Sequence, residues 1–262
     1  MYGSVGVEPK SVQSFTSVDP LAHKYPNVSS YVYCMGNPVN RIDPDGRADF
    51  CLNGKVIGND GVNNQKIYAI KTTEKSFGEG ESQIAGAGLS KKDQKLTVDF
   101  IKSNSGNADA FQNNGIAYSN SIEIESSSEN RQAMVNEVSR DNGNGGTNAA
   151  NNREYGGSIE NGKVVIATPG AVSNPASPDN ASIKLPSGVS TFHSHPSGTK
   201  TESVEGGTRN SWFNQHPSRT DITNSSSKTE YVFGRGDGKV YIYNKNGVQA
   251  VIPMKNFVTP KK

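Results

Sequence analysis

Alternating apolar and polar positions are clearest at the end of the chain, where they predict three consecutive strands. Residues 230–233, 239–243 and 248–252 alternate apolar and polar residues, with Val, Ile, Tyr, Phe or Ala at every second position. Glycine- and asparagine-rich segments, 234–238 and 244–247, separate them and are typical of tight turns. The pattern therefore predicts an antiparallel tail that extends a central sheet.

A helical period replaces the alternation in two earlier stretches. In the first, Leu96, Phe100 and Ile101 recur at helical spacing after Ser90 and Asp93, which form a plausible N-terminal cap. A second helix is predicted over residues 128–140, before the break at 143–152; its inner side would carry Ala133, Met134, Val135 and Val138. Helices and strands that occupy separate stretches indicate an α+β fold.

Residues 48–88 read as a connector rather than as part of a catalytic unit. Residues 52–58 and 66–70 resemble two strands of a hairpin around the turn-forming Asn59, Asp60 and Gly61. The following stretch, 72–88, is rich in Gly, Glu and Ser and predicts a flexible linker.

The chemically most informative stretch places two of the four histidines one residue apart. His193 and His195 follow residues 188–192, which predict a strand. Side chains at i and i+2 of a strand point to the same side, so both imidazoles can reach one ion. Because His-x-His also occurs by chance on exposed strands, the case for a metal site depends on nearby partners.

The first partner lies downstream, where Ser218 and Asp221 stand three residues apart at a predicted helix start. At this spacing a hydroxyl and a carboxylate share one face of a helix. The same pattern is a capping box, in which Ser218 and Asp221 satisfy backbone N–H groups at the helix start. The two roles are compatible.

The second partner is Glu154, at the entrance to a short strand that contains Gly157 and continues over residues 163–167. A carboxylate at a strand edge beside small residues can stand close to a metal-bound water. The alternative is a solvated glutamate without a special role. Glu137, on the predicted second helix, is a weaker substitute because it lies far from any glycine-rich strand.

The composition and charge of the chain limit which classes of molecule such a site would bind. Of the 262 residues only 32% are apolar, so we expect a loop-rich protein with a modest core. The formal charge of +2, without a long Lys/Arg run, gives no electrostatic footprint for nucleic acid or an anionic membrane. No apolar run approaches the ~18 residues of a membrane span, and the first 30 residues lack the features of a secretory signal.

The two cysteines limit the metal ligands further. Cys34 and Cys51 form neither a zinc ribbon nor a disulfide framework, although a single bridge between them stays open. Any metal site must therefore be built from histidine and carboxylate.

Taken together, these motifs resemble the JAB/MPN (JAMM) metalloprotease family. That family has an early Glu before a Gly-containing strand, then His-x-His, then Ser-x-x-Asp. The matching residues, in the same order, are Glu154 with Gly157, His193, His195, Ser218 and Asp221. The resemblance implies a mixed β-sheet flanked by helices over residues 89–262, with helix 128–140 before the Glu-bearing strand.

The same resemblance implies a zinc-dependent hydrolase of amide or isopeptide bonds. Zn²⁺ would be held by His193, His195 and Asp221, leaving a fourth position for water. Glu154 would act as general base and then general acid, and Ser218 would donate a hydrogen bond to the oxyanion.

One departure from the family concerns the spacing between His195 and Ser218, which the 22 residues 196–217 separate. The excess, residues 197–215, is rich in Gly, Ser and Thr and predicts an inserted surface loop, since loop closure costs little more as a loop lengthens. The longer spacing makes His216 the substitute ligand for Asp221. Trp212 and Phe213, inside the insertion, would either cover the cleft or anchor the loop, and anchoring is favoured.

A second resemblance covers the first part of the chain. Residues 17–26, 31–34 and 37–46 combine short Tyr/Val stretches with Asn-Pro and Asp-Pro-Asp-Gly turns. They are similar to the end of the Rhs repeat-associated core, the YD-repeat shell of secreted bacterial polymorphic toxins. Residues 1–47 would then be a remnant of that shell, and Met1 would begin a fragment or a truncated gene. Asp19 and Asp43, in Asp-Pro contexts, are better explained as turn formers than as self-cleavage residues.

These expectations define one function and two rivals. The first is a zinc metalloprotease effector, delivered into a target cell as part of a larger secreted protein. Its partners would be a protein or isopeptide-linked protein substrate and a cognate immunity protein, with no nucleic acid and no membrane span. The rivals are a non-catalytic JAB/MPN-like binding module and a metal-dependent nuclease toxin.

Overall fold

The computed structural model describes residues 47–73, 76–77, 84–177, 181–226 and 228–261. These residues belong to one compact unit that begins at Arg47, and Met1–Gly46 form the other unit of the chain. The segment that resembles an Rhs core, with Asp19, Asp43 and Cys34, lies outside the described residues.

The described unit is a mixed α+β structure. Its strands are β1 (Arg47–Leu52), β2 (Lys55–Asn63), β3 (Ile67–Ile70), β4 (Ser76–Phe77), β5 (Ile84–Ala85), β6 (Ser121–Ile124), β7 (Gly156–Glu160), β8 (Lys163–Ile166), β9 (Ser190–His195), β10 (Thr199–Val204), β11 (Gly207–Trp212), β12 (Glu230–Gly234), β13 (Lys239–Asn244) and β14 (Gly247–Pro253). Its helices are α1 (Lys91–Ser103), α2 (Ala108–Asn113), α3 (Ile116–Ser119), α4 (Ser128–Val138) and α5 (Arg219–Asn224), with short 3-10 turns at Ala149–Asn152 and Met254–Asn256.

The first sheet has the strand order β2-β1-β3-β6, with β1 and β3 parallel. The predicted hairpin between residues 52–58 and 66–70 is wrong, because β2 and β3 are not neighbours and β3 pairs in parallel with β1. The hairpin that is present joins β1 and β2. The chain reverses at Asn53 and Gly54, whose φ values of 51° and 73° suit a two-residue hairpin turn. Asn59, Asp60 and Gly61 instead form a bulge within β2, because the buried Asp60 carboxylate accepts bonds from the N–H groups of Ala48 and Val62.

Helices α1 to α3 cover this sheet around a common core of Phe50, Ile70, Ile101, Phe111 and Ala117. The predicted cap of α1 is confirmed, because the Ser90 side chain accepts from the backbone N–H of Asp93. Since β6 pairs with β3, residues on both sides of the predicted boundary at 88 share one sheet.

The described part of the predicted linker is hydrogen-bonded to the second sheet. The backbone N–H of Thr72 donates to Gln249 O, and that of Ala87 donates to Val248 O. Both acceptors lie on β14, so this stretch packs along an edge strand where it is described.

The second sheet has six strands in the order β14-β13-β12-β9-β7-β8. The antiparallel tail β12-β13-β14 is confirmed, and β12 joins the rest of the sheet by parallel pairing with β9. The predicted second helix is confirmed as α4, which packs against β7, β8 and β9 through the buried Met134 and Val138. Within the described residues, no helix combines the length and the apolar character that crossing a membrane requires.

The insertion between the histidines and Ser218 is a β-hairpin rather than a loop. β10 and β11 pair in register from Thr199↔Trp212 to Val204↔Gly207. The reason is a two-residue turn at residues 205–206, with Gly206 at a φ of 87°, and cross-strand ion pairing between Glu202 and Arg209 at 2.8 Å. Trp212 is 63% exposed, whereas Phe213 is buried and anchors the end of the hairpin.

A buried arginine on α4 holds the end of the chain. The Arg131 guanidinium donates to the carbonyls of Phe257 (2.9 Å), Val258 (2.8 Å) and Ser126 (2.8 Å), and also to that of Glu125. Its bonds therefore fix both the start of α4 and the segment after β14.

We expect Arg131→Met to lower the free energy of unfolding by at least about 3 kcal/mol, because several buried carbonyls lose a charged donor. Lys95→Met is the matched control, since Lys95 on α1 is exposed and pairs only with Asp99, so the change should be within about 0.5 kcal/mol. Chemical denaturation monitored by circular dichroism measures both values. Equal and small losses of unfolding free energy in the two variants would contradict a stabilising role for the Arg131 hydrogen bonds.

Candidate metal centre

The centre is built on β9, which lies inside the six-stranded sheet between β7 and β12. Alternation along the strand sends Phe192 into the main core, where it packs edge-to-face on Phe233. Thr191, His193 and His195 project from the other face and line a cleft. The expected same-side placement of the two imidazoles is therefore present, and the two residues are only 4% and 7% exposed.

Asp221 brings a carboxylate to both imidazoles. Its Oδ1 lies 3.3 Å from Nε2 of His193, and its Oδ2 lies 3.4 Å from Nε2 of His195. The capping box is also present: the Ser218 side chain accepts from Asp221 N at 3.1 Å, and Asp221 Oδ2 accepts from Ser218 N at 2.6 Å. The cap and the contact with the histidines coexist because the same carboxylate serves both.

These distances fit a tetrahedral metal ion. Bonds of about 2.0–2.1 Å at tetrahedral angles set neighbouring ligand atoms about 3.3 Å apart. The separations of 3.3 and 3.4 Å are close to that value, with a different carboxylate oxygen facing each imidazole, and they are longer than the usual charge-assisted hydrogen bond. Two imidazoles and one carboxylate are also a donor set that Zn²⁺ prefers.

Glu154 also lies close to the two histidines, shortly before β7. Its carboxylate and the ring nitrogens of His193 and His195 all lie within 4.8 Å of one another. Backbone pairing fixes it, since Glu154 O accepts from Gly170 N and the next residue, Tyr155, exchanges hydrogen bonds with Ser194. These three ligand atoms therefore converge closely enough to hold a metal ion between them.

Gly156 explains why Glu154 can come so close. A Cβ at this position would lie 2.2 Å from the carbonyl oxygen of Phe192 and 2.9 Å from the Cα of His193. Only glycine therefore lets the start of β7 approach the histidine strand at this point.

The Nδ1 atoms of the two imidazoles have different surroundings. Nδ1 of His195 lies 2.9 Å from the carbonyl oxygen of Asn214, which leaves Nε2 free as a ligand. Nδ1 of His193 is buried without a hydrogen-bond partner among the described residues. No sequence pattern points to Asn214, because the acceptor is a backbone carbonyl that any residue carries.

A buried carboxylate also fixes the segment that follows the histidines. Asp141, after α4, accepts from the backbone N–H of Ser197 at 2.7 Å and from its hydroxyl at 2.6 Å. Arg235, after β12, donates its backbone N–H to His195 O and its guanidinium to Asp141 O. These contacts hold the end of β9 in place.

The charges at the centre are strongly coupled. Burial alone would lower the pKa of His193, but the carboxylates of Asp221, Glu154 and Glu230 raise it to about 9. Burial would raise the pKa of Asp221, and the two imidazoles instead hold it well below its usual range. Without a metal ion, His193 and Asp221 therefore form an ion pair at neutral pH.

The centre opens into a cleft of about 820 Å³. The half-buried Ile183, Leu185 and Val189 line it, together with Phe213 at the end of the inserted hairpin. Ser218 also lines the cleft. The volume is much larger than an ion and a water molecule need, so it leaves room for part of a substrate.

Two substitute residues do not join the centre. Nδ1 of His216 lies 2.8 Å from the carbonyl oxygen of Pro217. Among the described residues, the group of converging ligand atoms consists of Glu154, His193 and His195, and neither His216 nor Asp221 belongs to it. Asp221 is assigned to the centre by its contacts with the two Nε2 atoms. Glu137 is ion-paired with Arg140 at 2.9 Å. Neither residue takes the place of Asp221 or Glu154 in this structure.

Comparison with known proteins gave no match to a protein-family model, to a curated protein or to a solved structure. The interpretation of the centre therefore depends on its sequence motifs and on its geometry.

We expect the purified chain to bind about one Zn²⁺, and His193→Ala or Asp221→Asn to weaken binding by more than about 100-fold, since even residues that only orient ligands contribute 10–100-fold. His216→Ala is the matched control and should keep wild-type affinity. Competition with a chromogenic chelator measures the affinities. A larger loss of zinc affinity in the His216 variant than in the Asp221 variant would show that His216, and not Asp221, is the ligand.

In the metal-free protein, we expect the His193 imidazole to titrate with a pKa of about 9. Asp221→Asn should bring this pKa down markedly, because the largest stabiliser of the imidazolium is removed while its burial remains. The stabilisation that His193 gains from its carboxylates is thus present below its unfolded pKa and lost as the pH rises towards 9. Nitrogen-edited NMR of the imidazole groups measures both values, and an unchanged pKa in the variant would refute the pairing.

Proposed function

We propose that this chain is a zinc-dependent hydrolase of amide or isopeptide bonds, of the kind that its resemblance to the JAB/MPN family implies. The observation that supports this most is the approach of two Nε2 atoms to one carboxylate at tetrahedral spacing, with Glu154 beside them. Held there by His193, His195 and Asp221, a zinc ion would supply Lewis acidity and would lower the pKa of a bound water towards about 7.

The protein side chains divide the remaining work. His193, His195 and Asp221 hold the ion. Glu154 takes a proton from the attacking water and passes it to the departing amine, so that one carboxylate serves as base and then as acid. The Ser218 hydroxyl, which accepts from Asp221 N, keeps its own proton to donate to the oxyanion that forms on the substrate carbonyl.

The charge of the cleft favours an amide over a phosphodiester substrate. The described lining residues include the carboxylates of Glu154, Asp221 and Glu230 and contain no Lys or Arg. Away from the proposed ion, a nucleic-acid backbone would meet this negative charge without a Lys or Arg side chain to compensate it. A nuclease is therefore the less favoured function.

The biological setting of the proposal comes from the first 47 residues. Their resemblance to the end of an Rhs core supports a secreted bacterial polymorphic toxin whose C-terminal part acts inside a target cell. A protein of that cell, or a protein conjugate joined by an isopeptide bond, would be the substrate. A cognate immunity protein would then be the expected partner.

We expect Glu154→Gln to bind zinc normally and to lower the hydrolysis rate at least about 100-fold, because the proton carrier is lost while the ligands remain. His193→Ala should lose both zinc and activity. Glu137→Gln is the matched control and should retain both, since Glu137 lies in a surface ion pair.

The assay incubates zinc-loaded protein with a peptide library from bacterial lysate and identifies new termini by mass spectrometry. Degradation of RNA or DNA from the same lysate is measured in parallel. Nucleic-acid cleavage without peptide cleavage would overturn the proposal in favour of a nuclease.

A further inference from the structure

A third carboxylate lies on the same face of the sheet as the metal centre, outside the proposed ligand set. Glu230, the first residue of β12, is 7% exposed and lines the cleft. Its Oε2 accepts from the Thr191 hydroxyl at 2.9 Å and from that of Tyr243 at 3.4 Å, and its Oε1 accepts from Ser226 N at 2.9 Å. Donors from three separate strands and turns therefore hold this carboxylate in one orientation.

The position of Glu230 relative to the metal centre follows from β9. Thr191 precedes His193 by two residues, a step of about 6.6 Å along a strand, and both side chains face the cleft. Because Thr191 donates directly to Glu230 from the neighbouring strand β12, this carboxylate lies beside the position that precedes His193 by two residues.

The charge of Glu230 is not balanced once zinc occupies the centre, because His193, whose pKa Glu230 helps to raise in the metal-free protein, is then a neutral ligand. All the hydrogen bonds that it accepts come from neutral donors. A divalent ion at the centre would balance Glu154 and Asp221, and the described cleft residues supply no Lys or Arg for the third carboxylate. A buried carboxylate without a cationic partner is costly, so a cation that enters the cleft gains from pairing with it.

The walls of the cleft match a long basic side chain. Ile183, Leu185 and Val189 offer apolar contacts, which suit the methylene stems of Lys and Arg, while Glu230 suits their charged ends. A purely apolar side chain would fill the space and leave the carboxylate unpaired.

We propose that the part of the cleft around Glu230 binds a Lys or Arg side chain of the substrate, one or two residues from the scissile amide. Glu230 would thus determine specificity rather than take part in the bond-breaking step. The identity of the substrate rests on the proposed hydrolase function, whereas the binding of a basic side chain does not require turnover.

The test measures binding to the zinc-loaded full chain carrying Glu154→Gln, which should not cleave its ligand. The probes are acetyl-Ala-Ala-Arg-Ala-Ala-amide and the same peptide with citrulline, which keeps the shape of arginine without its charge. By isothermal titration calorimetry at 0.15 M salt, we expect the arginine peptide to bind at least about tenfold more tightly. Equal affinities would overturn the proposal.

Two further variants in the same background separate charge from structure. Glu230→Gln keeps an oxygen acceptor for Thr191 and Tyr243, and it should abolish the preference for arginine. Tyr243→Phe removes one hydrogen bond and leaves the charge, so the preference should persist. Should Glu230→Gln fail to fold, the arginine and citrulline affinities of the background protein decide the question alone.

Hydrolysis by the wild-type chain separates this inference from the proposed function. Peptide cleavage with no enrichment of Lys or Arg near the cut would overturn the specificity site and leave the hydrolase standing. Absence of cleavage, together with a retained preference for the arginine peptide, would overturn the hydrolase and leave the binding site standing.

Discussion

The pairing of β9 between β7 and β12 is the constraint on which the rest of the described structure depends. It gives one strand two environments, with Phe192 in the apolar core on one side and Thr191, His193 and His195 in the cleft on the other. A shift of one residue in register would bury the histidines in the core and expose the phenylalanine, so hydrophobic burial fixes the register. The energy that orients the candidate metal ligands is therefore the same burial that folds the sheet.

Contacts between distant segments then bring Asp221 to this strand, with only a small loss of loop-closure entropy. The inserted hairpin leaves the sheet after Pro196 and returns at Asn214, and the Gln215 side chain closes its base by donating to the carbonyls of Pro196 and Phe213. Loop-closure entropy grows slowly with length, so a closed base lets Asp221 approach the histidines despite the 22 intervening residues. The insertion changes the rim of the cleft and leaves the centre in place.

Local patterns in the sequence predicted the strands of the tail, the helix α4 and the placement of the two histidines. The two-residue period placed both histidines on one face, the Ser-x-x-Asp pattern predicted the cap at Ser218, and alternation predicted the strands of the tail. Asn59 to Gly61 misled because turn-forming residues also form bulges, and only the partner strand distinguishes the two. Glu230 and the carbonyl of Asn214 were missed because their place in the cleft depends on pairing between distant segments, which no short window contains.

The central claim is that these separate segments hold one divalent ion. Anomalous diffraction from crystals grown with zinc, recorded on both sides of the zinc absorption edge, tests it most directly. The account predicts a single strong peak bonded to Nε2 of His193, Nε2 of His195 and the Asp221 carboxylate, at about 2.0–2.2 Å from each. A protein that shows no peak there, while the two imidazoles and Asp221 stay hydrogen-bonded to one another in saturating zinc, would contradict it.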